Sequence, residues 1–161
     1  MRNKLFTLFT FAFFLISPVV SHAATKIDDP QKFVSDVFKK MAASSDYQQP
    51  TDIYTPHLAS LFALEKKDSG GEVGRLDFDF WTGTQDWELK DIKVSGEPVD
   101  GVTTRKIVAV KFKNIGTPEE MHFYFEKTPG GWLLDDVRSL KGESWTLSLV
   151  LKYGWDSGPV Q

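Results

Sequence analysis

MHFYFEKTPGGWLLDDVRS, residues 121–139, decides the fold. Met121, Phe123 and Phe125 alternate with His122, Tyr124 and Glu126. That is the period of a strand with one dry and one wet face. Pro129-Gly130-Gly131 is a turn signal, and residues 132–139 are the returning strand. Working upstream, residues 102–113 form the longest strand, rich in β-branched side chains. Ile107, Val108, Ala109 and Val110 are continuous, which places that strand centrally. Residues 87–95 precede it. Their imperfect alternation predicts a bulge near Asp91, and residues 96–101 are a turn-rich connection. Further back, Leu76, Phe78 and Phe80 alternate with Asp77, Asp79 and Trp81 until Gly83, which predicts one more strand. Downstream, Trp145, Leu147, Leu149, Val150 and Leu151 form an apolar segment that fits either a strand or a short helix. Residues 154–161 read as a frayed tail.

Before residue 70 the period is helical. Asp28-Asp29-Pro30 supplies a capping acid and a proline suited to the first helical position. Phe33, Val34, Val37, Phe38 and Met41 then recur on one side, giving a helix over 30–44. Thr55-Pro56 repeats the start signal, and Leu58, Leu61 and Phe62 give a second helix over 55–67. Helices followed by strands with short turns predict an α+β fold. In it, N-terminal helices pack on a curved antiparallel sheet of four to five strands. A bent sheet over helices leaves a concave end where a pocket would form.

The first residues have a different character. Arg2 and Lys4 precede an apolar run over residues 5–16, and Ser21-His22-Ala23 offers small residues at the −3 and −1 positions. That is the layout of a secretory signal peptide, so residues 1–23 are read as a leader and 24–161 as one α+β domain, ordered over about 30–152. The apolar run is shorter than the roughly 20 residues that span a bilayer. The whole chain has net charge −3. Removing Arg2 and Lys4 with the leader leaves 17 basic and 22 acidic residues, net −5. With no cysteine, disulfides, thiolate metal sites and cysteine nucleophiles are excluded. Acidity without a basic run points away from nucleic acid. Export without cysteine fits a periplasmic address, with no stable membrane anchor and no cofactor.

Three stretches carry a resemblance: Leu76-Asp77-Phe78-Asp79-Phe80, Thr84-Gln85-Asp86-Trp87, and Gly130-Gly131-Trp132-Leu133-Leu134-Asp135-Asp136-Val137. Over about residues 33–151 the chain resembles an uncharacterised family of bacterial envelope proteins in the nuclear-transport-factor-2-like, cone-shaped superfamily. Phe80 stands where such relatives commonly carry proline, and the lipoprotein cysteine of some relatives is absent. The resemblance implies a shape. The superfamily includes isomerases, dehydratases, transport adaptors, toxin-neutralising proteins and ligand binders, so it implies no single reaction.

Several polar groups could carry chemistry. Asp77 and Asp79, with Glu72, Gln85 and Asp86 nearby, are candidates for a general base if buried and for a recognition patch if exposed. Their spacing does not match a calcium loop, and no metal site is assigned. His122 and Tyr124 share a strand face with Glu126, and Asp136 shares one with Arg138. Asp77, Asp79, Asp136, His122 and Tyr124 are thus the catalytic candidates. Pairing of an aspartate with Arg138 or Arg105 is the simpler account of the hairpin acids. Trp81, on the polar side of its expected strand, is the leading candidate for an exposed anchor, with Trp155 second. Trp81, Gln85, Asp86 and Trp87 form the expected binding set. Together these features predict an exported binding module for a protein or small ligand, of a toxin-neutralising (immunity) type or a homodimer. A small-pocket isomerase or lyase with an inward aspartate as base is the alternative.

Overall fold

The computed structural model describes residues 25–154. In chain order it contains α1 (Pro30–Ala43), α2 (Pro56–Ser69), β1 (Leu89–Val99), β2 (Val102–Asn114), β3 (Thr117–Thr128), β4 (Gly131–Ser139), β5 (Trp145–Thr146) and α3 (Leu147–Tyr153). The strands form one antiparallel sheet in the order β1-β2-β3-β4-β5. The α+β class therefore follows the expected plan. The expected leader, and the residues beyond Gly154 with Trp155 among them, lie outside the described residues. Among the described residues, no helix is long and apolar enough to cross a membrane.

The helix starts are built as their residues predict. The Asp29 carboxylate accepts from the backbone N–H groups of Gln31 and Lys32, and the Thr55 hydroxyl accepts from Leu58. Each satisfies donors that a helix N-terminus leaves free. Gly70 closes α2 at φ +60°, a left-handed conformation that glycine adopts without strain.

Two sequence expectations change. The segment 145–151 is both alternatives in succession, a two-residue strand that runs directly into a seven-residue helix. Residues 76–81 do not form the expected strand. They belong to an irregular loop between α2 and β1, with only an isolated bridge from Asp79 to Thr84. The reason is local. The Asp79 carboxylate accepts from the Trp81 N–H at 2.7 Å, and its carbonyl accepts from Gly83 at 2.7 Å. Side-chain and turn bonds of this kind compete with a ladder for the same backbone groups.

The sheet otherwise keeps its predicted period. Val108, Val110, Phe112, Met121, Phe123, Phe125, Leu134 and Val137 are buried, and most residues that alternate with them are polar or half-buried; Ala109 is the exception, buried on the opposite face of the central strand. β1 extends four residues past its expected end because its pairing with β2 continues to Val99. The bulge stands at Asp91, whose φ is +53° between the paired residues Lys90 and Lys93. At the hairpin, Gly131 is required by crowding as well as by its φ of +130°. A Cβ there would meet the Ile27 carbonyl oxygen at 2.8 Å. That carbonyl accepts from the Trp132 N–H and draws the N-terminal segment against β4.

The space between helices and sheet is filled by rings. Trp81 is 1% exposed. It stacks on Phe123 at 4.9 Å between centroids and on Phe80 at 5.7 Å, and it meets Phe38 edge-on at 6.3 Å. Phe38 in turn contacts Phe112 at 5.3 Å and Phe123 at 5.8 Å. Offset and edge-to-face arrangements at these separations are favourable beyond simple burial.

Trp81 is thus a core residue and not the exposed anchor that strand alternation implies. Replacing Trp81 with alanine is expected to cost about 3–5 kcal/mol, the range for deleting a large buried ring. Urea unfolding checks it: a loss below about 1 kcal/mol would mean that the indole is not buried.

Candidate functional site

The loop from Gly70 to Glu88 is held by two polar clamps. The first is Asn114, 4% exposed at the end of β2. Its amide nitrogen donates to the Thr84 hydroxyl at 2.8 Å and to the Asp86 carbonyl at 3.3 Å. Its amide oxygen accepts from the Glu88 N–H at 2.9 Å. A buried amide bonded this fully keeps its geometry, because losing a bond leaves an unsatisfied group. The second clamp is Arg75. Its N–H donates to the Glu65 carboxylate, and its guanidinium reaches Asp68 at 2.8 Å and the Leu151 carbonyl at 3.1 Å. The loop is thereby tied to α2 and α3.

Between these clamps the loop and the second half of α2 enclose an open cleft of about 740 Å³. Phe62, Leu76 and Phe78 give it an apolar floor. Glu65, Glu72, Asp77 and Asp79 stand on its walls, with Lys66 the one cation among its described lining. Glu72, Asp77, Asp79 and Gln85, clustered in the sequence, are therefore brought to one concavity. Gln85 spans the loop by donating to the Asp77 carbonyl at 3.1 Å.

Asp79 is the most constrained of these groups. Besides Trp81, it accepts from the Gln49 amide at 2.8 Å. Burial pushes its carboxyl above the usual value, against the opposing pull of these hydrogen bonds. Tyr54 is half-buried close by, stacked on Phe62 at 4.8 Å. Its phenol is pushed up to about 12, first by burial and then by the charges of Asp79 and Asp52. Tyr54 and Gln49 carry no local sequence signal. Tyr54 is placed by the segment 53–55, whose Ile53 carbonyl and Thr55 N–H bond to Leu134 of β4.

The other candidates lie elsewhere. Asp86 contributes its backbone carbonyl to the Asn114 clamp and does not line the cleft. Trp87 is half-buried, and its indole N–H donates to the Met41 carbonyl at 3.1 Å, pinning the loop to α1. His122, Tyr124 and Asp136 share the outer face of the sheet. His122 stands 3.3 Å from the Glu120 carboxylate. Tyr124 lies under the Arg138 guanidinium at 5.0 Å. Asp136 accepts from the N–H and hydroxyl of Ser148 and from the Val137 N–H. Burial raises its carboxyl, and those bonds oppose the rise. Asp136 thus fastens α3 to β4, while Arg105 pairs with Glu126 at 3.4 Å. The catalytic candidates therefore divide between two places, with Asp77 and Asp79 in the cleft and the rest on the sheet face. Among the described residues, no group of three or more His, Asp or Glu is arranged to hold a metal ion.

Comparison with family models, with curated proteins and with solved structures returned no match to this chain.

The Asp79 carboxyl sets a pH dependence. A carboxyl raised by folding holds its proton more tightly folded than unfolded. Its contribution is most favourable below its ordinary 3.8 and declines as pH climbs through the raised value. Asp79→Asn, which cannot ionise, is expected to lose less stability than the parent over that rise. Urea midpoints measured from pH 3.8 upward check this; parallel curves for the two proteins would contradict it.

Proposed function

We propose that the chain is an exported recognition module of the nuclear-transport-factor-2-like kind, which takes a cationic segment of a partner in the cleft between α2 and the loop before β1. The observation that carries this reading is the convergence of Glu65, Glu72, Asp77 and Asp79 over Phe62, Leu76 and Phe78. Carboxylates on the walls attract Lys and Arg, and an apolar floor accepts the stems of those side chains or a neighbouring ring. The filled interior supports recognition at the surface, since Trp81, Phe38 and Phe123 occupy the space an internal ligand would need. The leader-like start supports a periplasmic site of action, and helices on one face of an antiparallel sheet agree with the cone-shaped superfamily. A toxin whose basic catalytic cleft must be blocked is the partner class that an acidic cleft suits best.

The catalytic alternative, an isomerase or lyase with an aspartate base, draws on the raised carboxyls of Asp79 and Asp136. Both carboxylates already accept two or more bonds that shape the fold. Their burial is accounted for without a substrate.

A short peptide of alternating Lys and Phe tests the recognition reading. In an NMR titration it is expected to shift the amide signals of residues 62–85. The double variant Glu72→Lys/Asp77→Lys is expected to weaken it several-fold, and so is added salt, because exposed charges are screened. Shifts confined to other surfaces, or an affinity unchanged by the double variant, would refute the assignment.

A further inference from the structure

Successive pairs in the β1–β2 ladder set lysine against lysine. Lys90 stands opposite Lys113, and Lys93 stands opposite Lys111. Like charges directly opposite one another destabilise a sheet. This arrangement stands in a chain whose net charge is −3. Carboxylates offset part of it. Glu88 pairs with Lys90, Asp91 reaches Lys113 at 2.7 Å, and Glu120 reaches Lys111 at 3.5 Å. The ammonium groups of Lys93 and Lys141 have no ion-pair or hydrogen-bond partner among the described residues.

These cations meet in one place. Lys93 of β1, Lys111 and Lys113 of β2 and Lys141 from the turn after β4 line a groove of about 490 Å³. Ile92 and Pro118 form part of its wall, and Asp91 and Glu119 are its two carboxylates. The Asp91 carboxylate is engaged by Lys113. Glu119 is partly buried, and burial raises its carboxyl while the Lys141 charge opposes the rise. Three separate elements thus bring four lysines to a concavity of small-molecule size.

We propose that this groove binds a compact multivalent oxyanion, a phosphate or diphosphate group carried by a small molecule or by a lipid headgroup. A lysine ammonium is a point charge with three donors on a flexible stem, so several can close on a tetrahedral oxyanion. Lys93 and Lys111 are opposite in the ladder, which puts their Cβ atoms about 5 Å apart and lets both reach one ion. A bound anion gives Lys93 and Lys141 the partner they lack and offsets the repulsion between Lys93 and Lys111. The site is independent of the acidic cleft.

The test is a titration of the full chain with inorganic pyrophosphate at low ionic strength, followed by calorimetry and by melting temperature. Saturable binding that raises the melting temperature is expected. Lys93→Gln and Lys141→Gln should each weaken it about ten-fold, the loss of one charged hydrogen bond. Lys39→Gln, on the exposed side of α1, should leave it unchanged. Without anion, Lys93→Gln should melt no lower than the parent, since it removes a like-charge pair. This separates lost binding from lost folding. Sedimentation with vesicles containing phosphatidic acid, whose terminal phosphate monoester carries more than one charge, against phosphatidylcholine controls, identifies the source. Vesicle binding that Lys93→Gln abolishes assigns a headgroup, and pyrophosphate binding without vesicle binding assigns a free phosphate compound. Failure to bind either, or equal affinity in the parent and both variants, overturns the proposal.

Discussion

Asp79 has to leave water so that Trp81 can enter the core, and the rest of the structure depends on that exchange. The carboxylate turns the chain by accepting from the Trp81 N–H, and its carbonyl completes the turn with Thr82 and Gly83. The indole then lies between α1 and the sheet against Phe38, Phe80 and Phe123. Two costs accompany the arrangement. The Asp79 carboxyl is partly desolvated, and the Trp81 indole N–H is buried with no hydrogen-bond partner among the described residues. An unmade bond of that kind costs about 1–3 kcal/mol. Full burial of a large ring stack recovers at least as much.

The same turn creates the surface concavity. Had residues 76–81 continued as a strand, Asp77 and Asp79 would project together from one face at a two-residue spacing. Folded as a loop and clamped by Asn114 and Arg75, they instead face the second half of α2, where Glu65 and Phe62 complete the cleft. The irregular segment thus joins core and surface. One end of it plugs the interior, and the other lines the place where a partner has room.

Charge is distributed unevenly over the fold. Carboxylates gather beside α2, while lysines gather on β1, β2 and the turn after β4. The outer sheet face between them is a network of mixed sign, with Lys111, Glu120 and His122 in one chain of contacts and Arg105 with Glu126 in another. The exposed Arg105–Glu126 pair contributes little to stability.

Periodicity and punctuation were enough to read the first two helices, the hairpin, the Asp91 bulge and the antiparallel sheet, because each depends on neighbours in the chain. Asp29 and Thr55 cap within three residues, and Gly131 turns the hairpin where it stands. The acidic group beside α2 was legible for the same reason, since Glu72, Asp77, Asp79 and Gln85 are close in sequence. Tertiary structure alone decided that Trp81 is buried, that Trp87 is an anchor on α1, that Asp136 fastens α3, that Gln49 bonds Asp79 and Tyr54 stacks on Phe62, and that Glu65 lines the cleft. Alternation says only that two faces differ. Which face meets the core depends on bonds between segments that lie 10 to 46 residues apart, and those bonds exist only once the chain has folded.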